Sequence, residues 1–543
     1  MFILFRTGRV RSNNNTINNI IMNGRDDDYY HERLQNINLE DITSSKQNRD
    51  VLSKFYNNDP NFTKLVVDNK EEYNSSDDES SNSNSDEVSE NEKDIEFKAD
   101  YEDGDDLGWL GYFIGRSTHL TELSIWEVPY HPAELRHEQV DAFTRAMSHN
   151  RSIVELAIQY GFTGLGVRNL CTFFGENNNL RSIELSHFEV DNETARLFAS
   201  MLGQRQRNTL KFLELQGNDF GDEEIEAIAT ALSGQSSLEH LSLMENDVGR
   251  LGCIALGTTL EGWQAPNLMK LDLAFNDIDD EGLHGLAAGL VNCTKLTNLD
   301  LSWNDSITAI GLRSLAPFFQ SEHCCLRDFK MFGVYFGDEG AIALVDGLVG
   351  NTSLEEMSIS IDGSASTYNR NAPAITDVGW SAFSKLLCDT SSVSKTYMSN
   401  HTLLQIHKDL SSPALPSKVE DYLELNRSKW DDGGTNVPML KILTHHNDLE
   451  MEPFFKWKLK FLPVVVHWFD MAKFSQEVLS ELQEELDINM VMTVGKTDSE
   501  LKSMEFSTIY KFVRAMPMLV LNGLRGKKKK KTTTSSRKRK SRD

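Results

Sequence analysis

Cysteine is scarce in this chain, and its spacing fits neither a disulfide framework nor a metal site. The six cysteines among 543 residues form no CxxC pair and lie at positions 171, 253, 293, 324, 325 and 388. Most of them stand in apolar segments, where cysteine behaves as a small buried hydrophobe. This usage predicts a reduced, intracellular protein without a bound metal.

Long apolar runs are absent as well. The run "FLPVVVHWF" at 461–469 falls well short of the ~20 residues that a membrane helix needs. The first residues, "MFILFRTGRVRS", hold too short an apolar run for a signal peptide. These two observations predict a soluble protein that does not contact a membrane.

Motifs that carry chemistry are missing too. The sequence contains no GxxxxGK[ST], no HExxH and no GxSxG. It therefore offers no phosphate-binding loop, no helical zinc site and no nucleophile elbow. We expect a protein that is not an enzyme and that holds no cofactor.

Basic residues are few relative to acidic ones: 55 Lys and Arg face 82 Asp and Glu, a formal net charge of -27. This balance argues against general binding to nucleic acid and favours a basic partner. The exception is the segment 525–543, which is a nuclear localisation signal, a polyanion-binding tail or a solubilising tail. Its clustered basic residues are Lys527, Lys528, Lys529, Lys530, Lys531, Arg537, Lys538, Arg539 and Lys540. It predicts a nuclear or nucleocytoplasmic protein, with any nucleic-acid contact confined to this tail.

What the sequence does contain is a repeat. The pattern LxxLxLxxN begins at Leu120, Ile153, Leu180, Leu210, Leu238, Leu268, Leu296, Leu326 and Leu354, mostly 28 or 30 residues apart. Degenerate copies occur at Phe62 and at Val393. Stretches such as "DEEIEAIATALSG" separate the copies, with apolar residues at helical spacing. Each unit is therefore predicted to be a short strand followed by a helix.

The alternation within each strand explains why the units must stack. In "LEHLSL", Leu241 and Leu243 alternate with His240 and Ser242, so one strand face is apolar and the other is solvated. Stacked parallel units bury the apolar faces in one continuous core and curve with the strands on the concave side. The side-chain amides of the repeated asparagines would then pair with backbone groups where each strand turns away. This predicted structural ladder consists of Asn218, Asn246, Asn276 and Asn304.

These repeats resemble those of ribonuclease-inhibitor-type leucine-rich-repeat proteins, over about residues 106–402. The resemblance implies an α/β solenoid, a horseshoe of parallel strands with helices outside. The asparagine position departs from the pattern in the outer repeats, for example at Phe188 and Val334. Farther on, "MEPFFKWKLKFLPVVVHWFDMA" and "FSTIYKFVRAMPML" resemble a block of predicted microalgal leucine-rich-repeat proteins.

The composition divides the chain into five parts. Residues 1–43 are rich in asparagine and are expected to be disordered. Residues 44–105 form an N-terminal cap, with a helix capped by serine, a first strand and an acidic disordered loop at 71–105. The solenoid is expected over 106–410, a helical region over 411–524 and the basic tail over 525–543.

Function is expected on the solvated strand face, because its residues are not needed for the core. The predicted partner-binding residues are Glu122, Trp126, Glu155, Tyr160, Glu184, Phe212, Glu214, His240, Asp272, Phe275, Asp300, Trp303, Asp328, Phe332 and Glu356. Eight carboxylates against Lys270 and Lys330 make an acidic strip, and aromatic residues commonly form binding hot spots. The sequence thus predicts a monomeric protein-binding scaffold with a basic partner. The alternative is an activator of a small GTPase, since Ran GTPase-activating proteins use this repeat type; they carry their acidic run after the repeats, whereas here it precedes them.

Overall fold

The computed structural model describes residues 27–68, 95–98, 106–126, 137–159, 164–188, 191–205, 209–262, 267–361, 373–409, 412–427 and 437–446. The described residues fall into two compact units. Unit 1 contains the chain up to Leu180 together with Phe188–Met201. Unit 2 contains Arg181–His187 and the chain from Leu202 onward.

Unit 1 alternates helices with short parallel strands. Its helices are α1 (Asp27–Arg33), α2 (Lys46–Tyr56), α3 (Asp106–Arg116), α4 (His137–Met147), α5 (Gly164–Glu176) and the start of α6 (Asn192–Gly203). Its strands are β1 (Lys64–Asp68), β2 (Glu96–Lys98), β3 (Glu122–Trp126) and β4 (Glu155–Gln159). The strands pair in parallel in the order β2-β1-β3-β4. The strand expected near Phe62 is therefore present as β1.

The prediction that residues 1–43 are disordered is wrong for 27–43. Helix α1 and two 3-10 turns, Leu34–Asn36 and Leu39–Asp41, occupy this stretch. Tyr30 is buried, with its ring 4.9 Å from that of Trp109 and 5.6 Å from that of Tyr112, measured between centroids. An aromatic ring of this size buries enough surface to order a polar segment. Residues 1–26 lie outside the described residues.

The acidic segment 71–105 also contains structure that its composition did not predict. Strand β2 pairs in parallel with β1, and Phe97 is fully buried. The side chain of Asn48 completes the edge of this strand. Its Nδ2 donates to the carbonyl of Lys98 at 2.6 Å, and its Oδ1 accepts from the Lys98 amide at 2.9 Å. The burial of Phe97 and the two hydrogen bonds of Asn48 thus stabilise a strand in a segment whose charge favours disorder.

Unit 2 continues the same alternation. Its strands are β5 (Ser182–Ser186), β6 (Phe212–Glu214), β7 (His240–Ser242), β8 (Lys270–Asp272), β9 (Asn298–Asp300), β10 (Asp328–Met331), β11 (Glu356–Ile359) and β12 (Gln405–Lys408). Its helices are α7 (Asp222–Leu232), α8 (Arg250–Gly262), α9 (Asp280–Leu290), α10 (Ala309–Ser314), α11 (Ala316–Phe319), α12 (Gly337–Leu348), α13 (Asp377–Leu387), α14 (Val393–Tyr397), α15 (Ser417–Arg427) and α16 (Val437–His445). The strands pair in parallel in sequence order.

The leucines of the repeat form the core, as the pattern predicts. Leu238 and Leu243 are fully buried, and Leu241 nearly so. Glu239 and His240, which lie between Leu238 and Leu241, remain only half-buried. The expected α/β solenoid of leucine-rich-repeat type is confirmed.

Aspartates at the starts of helices hold alternate neighbours together. The carboxylate of Asp222 in α7 accepts from the amides of Gly249 and Gly252 at the start of α8, both at 2.8 Å. The same arrangement joins α9 to α10 through Asp280, and α12 to α13 through Asp338. Since the N-terminus of a helix presents unpaired amides and a positive dipole end, a carboxylate there is stabilising.

The degenerate copy expected at Val393 is not a strand. Residues Val393–Tyr397 form helix α14, and the last strand is Gln405–Lys408. The hydroxyl of Ser392 accepts from the Lys395 amide at 3.3 Å and so starts the helix. Leu403 and Ile406, which are buried, occupy the apolar positions of the true last strand.

Two helices follow the last strand. Asn426 in α15 donates to the carbonyl of Leu403 at 2.6 Å, and Lys441 in α16 donates to that of Leu387, also at 2.6 Å. Helical structure expected in 411–524 is thus present in these two stretches. Residues 447–543, which include the rest of that region and the basic tail, lie outside the described residues. No helix in the described part is long and apolar enough to cross a membrane.

Candidate protein-binding surface

Alternate residues of the unit 2 strands, mostly half-buried or exposed, form two parallel rows, which we call the unit 2 strand face. Strand register defines the first row as Ser182, Phe212, His240, Lys270, Asn298, Asp328, Glu356 and Gln405. It defines the second row as Glu184, Glu214, Ser242, Asp272, Asp300, Lys330, Ser358 and His407. The leucines between the two rows are buried.

The second row concentrates carboxylates. Burial, reinforced by the negative charges of Glu184 and Asp272, raises the pKa of Glu214 to about 7. Burial and the charge of Asp300 raise the pKa of Asp272 to about 6, against a hydrogen bond from Ala274 and the charge of Lys330. The raised pKa values thus reflect burial and repulsion between neighbouring carboxylates of this row.

Lys330 is the cation inside this acidic row. Its Nζ lies 4.0 Å from the carboxylate of Asp300 and 3.6 Å from that of Asp328. In the last strand, the Nε2 of His407 lies 3.2 Å from the carboxylate of Glu356 in β11. His407 and Lys408 belong to β12, so the wrong placement of the last strand hid them from the sequence prediction.

The first row begins with an aromatic pair. The rings of Phe212 and His240 stack with centroids 4.2 Å apart and planes 23° apart. Burial and the nearby charge of Lys270 lower the pKa of His240 to about 4. His240, which the sequence left between charge states, is therefore neutral at pH 7 and presents a flat ring.

A third row follows the strand ends, where the backbone turns through left-handed conformations. The positive-φ residues in this row are His187, Gly217, Glu245, Phe275, Trp303 and Gly333. Phe275 and Trp303 have φ of 56° and 60° and stack with centroids 5.2 Å apart and planes 14° apart. A Cβ on Gly333 would lie 2.5 Å from the indole of Trp303, so glycine is required beneath that ring. Trp303 remains 40% exposed.

Two aspartates connect the acidic row to the aromatic pair. The Oδ1 of Asp272 accepts from the Ala274 amide at 3.0 Å, and that of Asp300 accepts from the Ser302 amide at 2.9 Å. Each carboxylate is thereby held by the amide of the residue just before Phe275 or Trp303. Carboxylates beside exposed rings suit a flat or extended cation, such as an arginine side chain.

The predicted asparagines form a hydrogen-bonded ladder beneath the surface. The Oδ1 of Asn246 accepts from the amides of Asn218 and Phe220, and its Nδ2 donates to the carbonyls of Leu215 at 2.8 Å and Leu243 at 3.0 Å. Asn276 and Asn304 repeat this pattern one and two units further. Asn218 donates to the carbonyl of Leu185 at 2.9 Å. These side chains join consecutive repeats and support the surface without belonging to it.

Other buried asparagines, at helix ends, escaped the sequence prediction. Asn351 donates to the carbonyl of Phe319 and accepts from the amides of Ser353 and Leu354. The residues that act in this way are Asn150, Asn177, Asn351 and Asn400. Each stands three residues before the first apolar position of a repeat, which is the spacing that could have revealed them.

The predicted residues in unit 1 follow a different pattern. Glu122 and Glu155 pair directly across β3 and β4, and Lys64 lies 3.9 Å from Glu122. They occupy the first position of their strands, whereas the acids of β5 and β6 occupy the third. Trp126 is half-buried at the end of β3. Tyr160 lies outside the described residues.

The remaining predicted residues lie on the far strands of unit 2. Asp328 and Glu356 belong to the first row, where Asp328 accepts from the Nδ2 of Asn298 at 3.3 Å. Phe332 is half-buried just past β10, and its amide donates to the hydroxyl of Ser302 at 3.0 Å. Within the described ranges, no group of three His, Cys, Asp or Glu side chains could hold a metal ion.

The repeated strand and helix define a class of repeat protein, and comparison with known families identifies the repeat. A leucine-rich repeat model matches residues 207–229, 234–257, 264–287 and 292–316. Pig ribonuclease inhibitor is 29% identical over 187 residues, which cover 34% of this chain and 40% of the inhibitor. Residues 207–316 of this chain therefore contain leucine-rich repeats, and these are similar to the repeats of ribonuclease inhibitor.

Two further relatives share parts of the repeat region. Human "NACHT, LRR and PYD domains-containing protein 5" is 27% identical over 275 residues, 50% of this chain and 21% of that protein. "RAN GTPase-activating protein 2" of Arabidopsis thaliana is 27% identical over 137 residues, 25% of this chain and 24% of that protein. The chain thus spans less than half the length of each of these relatives. The resemblance to microalgal proteins stays a prediction.

Proposed function

We propose that this protein is a binding scaffold that holds a basic protein on the unit 2 strand face. Six carboxylates stand on that face against Lys270 and Lys330, so its charge favours a basic surface. The comparison with ribonuclease inhibitor supports this proposal, because that protein is named for acting on another protein. Binding, and not catalysis, is the function that the half-buried rows support.

The stacked pair of the half-buried Phe275 and the exposed Trp303 carries the proposal. Tryptophan is among the residues most enriched in binding hot spots, and such residues contribute most when surrounded by contacts that exclude water. Here the rings stack on one another while Trp303 stays 40% exposed. Strain at two non-glycine residues with positive φ is a feature that clusters at functional surfaces.

The test is affinity capture from the native cell with wild-type and variant baits. Replacing Phe212, Phe275 and Trp303 with alanine should abolish recovery of the partner. A matched control replaces exposed apolar residues on the helices, Leu251, Ile310 and Val378, which are 64%, 68% and 60% exposed. The control should recover the partner as the wild type does.

Two results would contradict this proposal. One is recovery of the same proteins by the wild type and the triple variant. The other is loss of recovery in the helix control alone, which would place binding on the helices. Thermal melting of all baits separates lost binding from lost folding.

A second candidate function is activation of a small GTPase. The similarity to RAN GTPase-activating protein 2 of Arabidopsis thaliana favours it. A single-turnover assay of GTP hydrolysis by Ran, with and without this protein, tests it. Stimulation of about 10³-fold or more would support it, and an unchanged rate excludes activation of Ran.

We further propose that the segment 525–543 directs the protein to the nucleus through its two basic clusters. A fluorescent reporter fused to this segment should accumulate in the nucleus. A reporter carrying glutamine at each Lys and Arg of the segment is the control. Equal distribution of both reporters would contradict nuclear import.

A further inference from the structure

Opposite charges are concentrated at two places in this chain. Residues 525–543 contain eleven Lys and Arg and a single Asp. The second row of the unit 2 strand face holds four carboxylates, from Glu184, Glu214, Asp272 and Asp300, against Lys330. In an otherwise acidic protein, this segment is the densest source of positive charge.

The carboxylates of the second row repel one another. The charges that shift the pKa of Glu214 come from two other acids, Glu184 and Asp272. Lys330 is shared between Asp300 and Asp328, at 4.0 and 3.6 Å. A positively charged segment lying along β5–β9 would relieve this repulsion, since opposite charges within ~4–6 Å favour the ionised carboxylate.

The aromatic pair gives the surface a feature that charge alone lacks. Trp303 is exposed, stacks against Phe275 and follows Ser302, whose amide donates to the carboxylate of Asp300. A guanidinium can lie over an indole face, where cation–π attraction strengthens binding. The segment 525–543 carries arginines at 525, 537, 539 and 542.

We propose that residues 525–543 of this chain dock on its own unit 2 strand face, with an arginine over Trp303 and lysines along the second row. The segment then acts as a built-in competitor of the basic partner proposed above. The docking itself does not depend on that partner. Residues 447–524 separate the described structure from the segment.

Docking within one chain has a measurable consequence. A tethered segment competes at an effective concentration that reaches the millimolar range for flexible connections. A free peptide with the sequence of residues 525–543 must displace it before binding. The occupied face would release the segment as salt rises, since exposed charges are screened within ~8 Å at physiological ionic strength.

The test measures binding of that peptide, labelled with a fluorophore, to the full chain by anisotropy at low salt. A tail-neutral chain has all eleven Lys and Arg of 525–543 replaced by glutamine. We expect it to bind the peptide about tenfold or more tightly than the intact chain, because its own segment no longer competes. Trp303→Ala in the tail-neutral chain should weaken binding about fivefold, and Glu214→Gln with Asp272→Asn should weaken it further.

Matched controls separate the face from general charge. The tail-neutral chain with Leu251→Ala and Ile310→Ala should bind the peptide unchanged. A peptide with lysine in place of every arginine keeps its charge and should bind several-fold more weakly if the indole contact is real. Melting of each variant verifies folding, and the near-isosteric Asp272→Asn retains a readout if Trp303→Ala does not fold.

Three outcomes would overturn the proposal. Equal peptide affinity for the intact and tail-neutral chains means that the segment does not occupy the site. Loss of binding on neutralising the acids of 71–105, with the face variants unaffected, places the segment on that acidic stretch. Absence of peptide binding to the tail-neutral chain removes the docking altogether. None of these outcomes bears on the external partner, which affinity capture tests separately.

Discussion

The rings of Phe275 and Trp303 stack 5.2 Å apart, and both residues adopt a left-handed backbone that side chains rarely occupy. Glycine holds the equivalent position in the repeats that begin at Leu210 and Leu326, as Gly217 and Gly333. The backbone of the repeat therefore requires a positive φ there, and two repeats place an aromatic residue at it despite the cost. That cost is about 1–2 kcal/mol for each residue with a Cβ.

Substitutions at 303 should reverse the usual order of alanine and glycine. We expect Trp303→Gly to be more stable than Trp303→Ala by roughly 1 kcal/mol, because only glycine relieves the left-handed strain. At Asn298, in strand β9, the glycine variant should instead be the less stable one by ~0.5–1 kcal/mol. Urea unfolding of the four variants measures both differences. The same order at both positions would contradict strain at 303.

Adjacent members of the asparagine ladder should be coupled, because they share carbonyls. Leu243 accepts from Asn246 at 3.0 Å and from Asn276 at 2.9 Å. Each single alanine variant leaves the Leu243 carbonyl with one of these two side-chain donors. The double variant removes both donors from this buried carbonyl. We expect the double loss to exceed the sum of the single losses by roughly 0.5–2 kcal/mol.

The control for this coupling is a pair that shares no carbonyl. Asn218 donates to Leu185, and Asn304 donates to Leu273 and Leu301. Their alanine variants should add within ~0.3–0.5 kcal/mol. Equal coupling in both pairs would mean that the variants act through general loosening of the core.

Glu214 should make the protein less stable as pH rises. Its pKa is about 7 in the folded chain and near 4.5 ordinarily, so between these values the folded state binds the extra proton. Stability is then lost as pH rises from about 4.5 to 7. Glu214→Gln should remove this loss and be more stable than wild type at pH 8 by about 1–2 kcal/mol, allowing for solvent screening.

The measurement is the free energy of unfolding at pH 5 and pH 8. The two proteins should converge at pH 5, where the wild-type carboxyl is protonated when folded. The exposed Glu226 on α7 provides a matched glutamine control with no expected difference between the two pH values. A constant offset between wild type and Glu214→Gln at all pH values would contradict the raised pKa.

Lys441 should have the opposite effect. It is fully buried, and burial lowers its pKa from 10.5 to about 7, while its Nζ donates to the carbonyls of Leu387 and Asn400. Between these pKa values the unfolded chain binds the extra proton, so this residue makes stability rise with pH from 7 toward 10.

Replacing this lysine should flatten that rise. Lys441→Met should show a smaller gain in unfolding free energy between pH 7 and pH 9, by at most about 2–3 kcal/mol. Lys418→Met, at the start of α15, is the control for loss of an exposed lysine. A parallel pH profile for wild type and Lys441→Met would show that the buried amine stays charged when folded.

The sequence predicts the repeated part of the fold well because the same requirement, burial of leucines on one strand face, recurs in every repeat. Leu210, Leu238, Leu268 and Leu296 recur at 28 or 30 residues, and all are buried as the pattern requires. It fails where the order comes from single contacts, as with Tyr30 in α1 and Phe97 in β2. The sequence prediction also fails at Val393, where residues that resemble the strand pattern belong to helix α14, which Ser392 caps.

For the candidate surface, the sequence predicts which strand residues face away from the core, but not the backbone conformation at the strand ends. The alternation identified Phe212, His240 and Asp272 as half-exposed residues of the strands. Nothing in their spacing gives the positive φ that brings Phe275 onto Trp303, because that conformation follows from the turn shared with neighbouring repeats. The placement of His407 required the true position of the last strand.

The aspartate junctions join the helices in pairs, α7 to α8, α9 to α10 and α12 to α13. The alternation of 28 and 30 residues has the same two-repeat period. The unit that can be copied or lost is therefore two repeats and not one. Duplication of a single repeat would place two helices with the N-terminal aspartate next to each other, or two helices that lack it. Lineages of such chains should consequently grow and shrink by even numbers of repeats in this region.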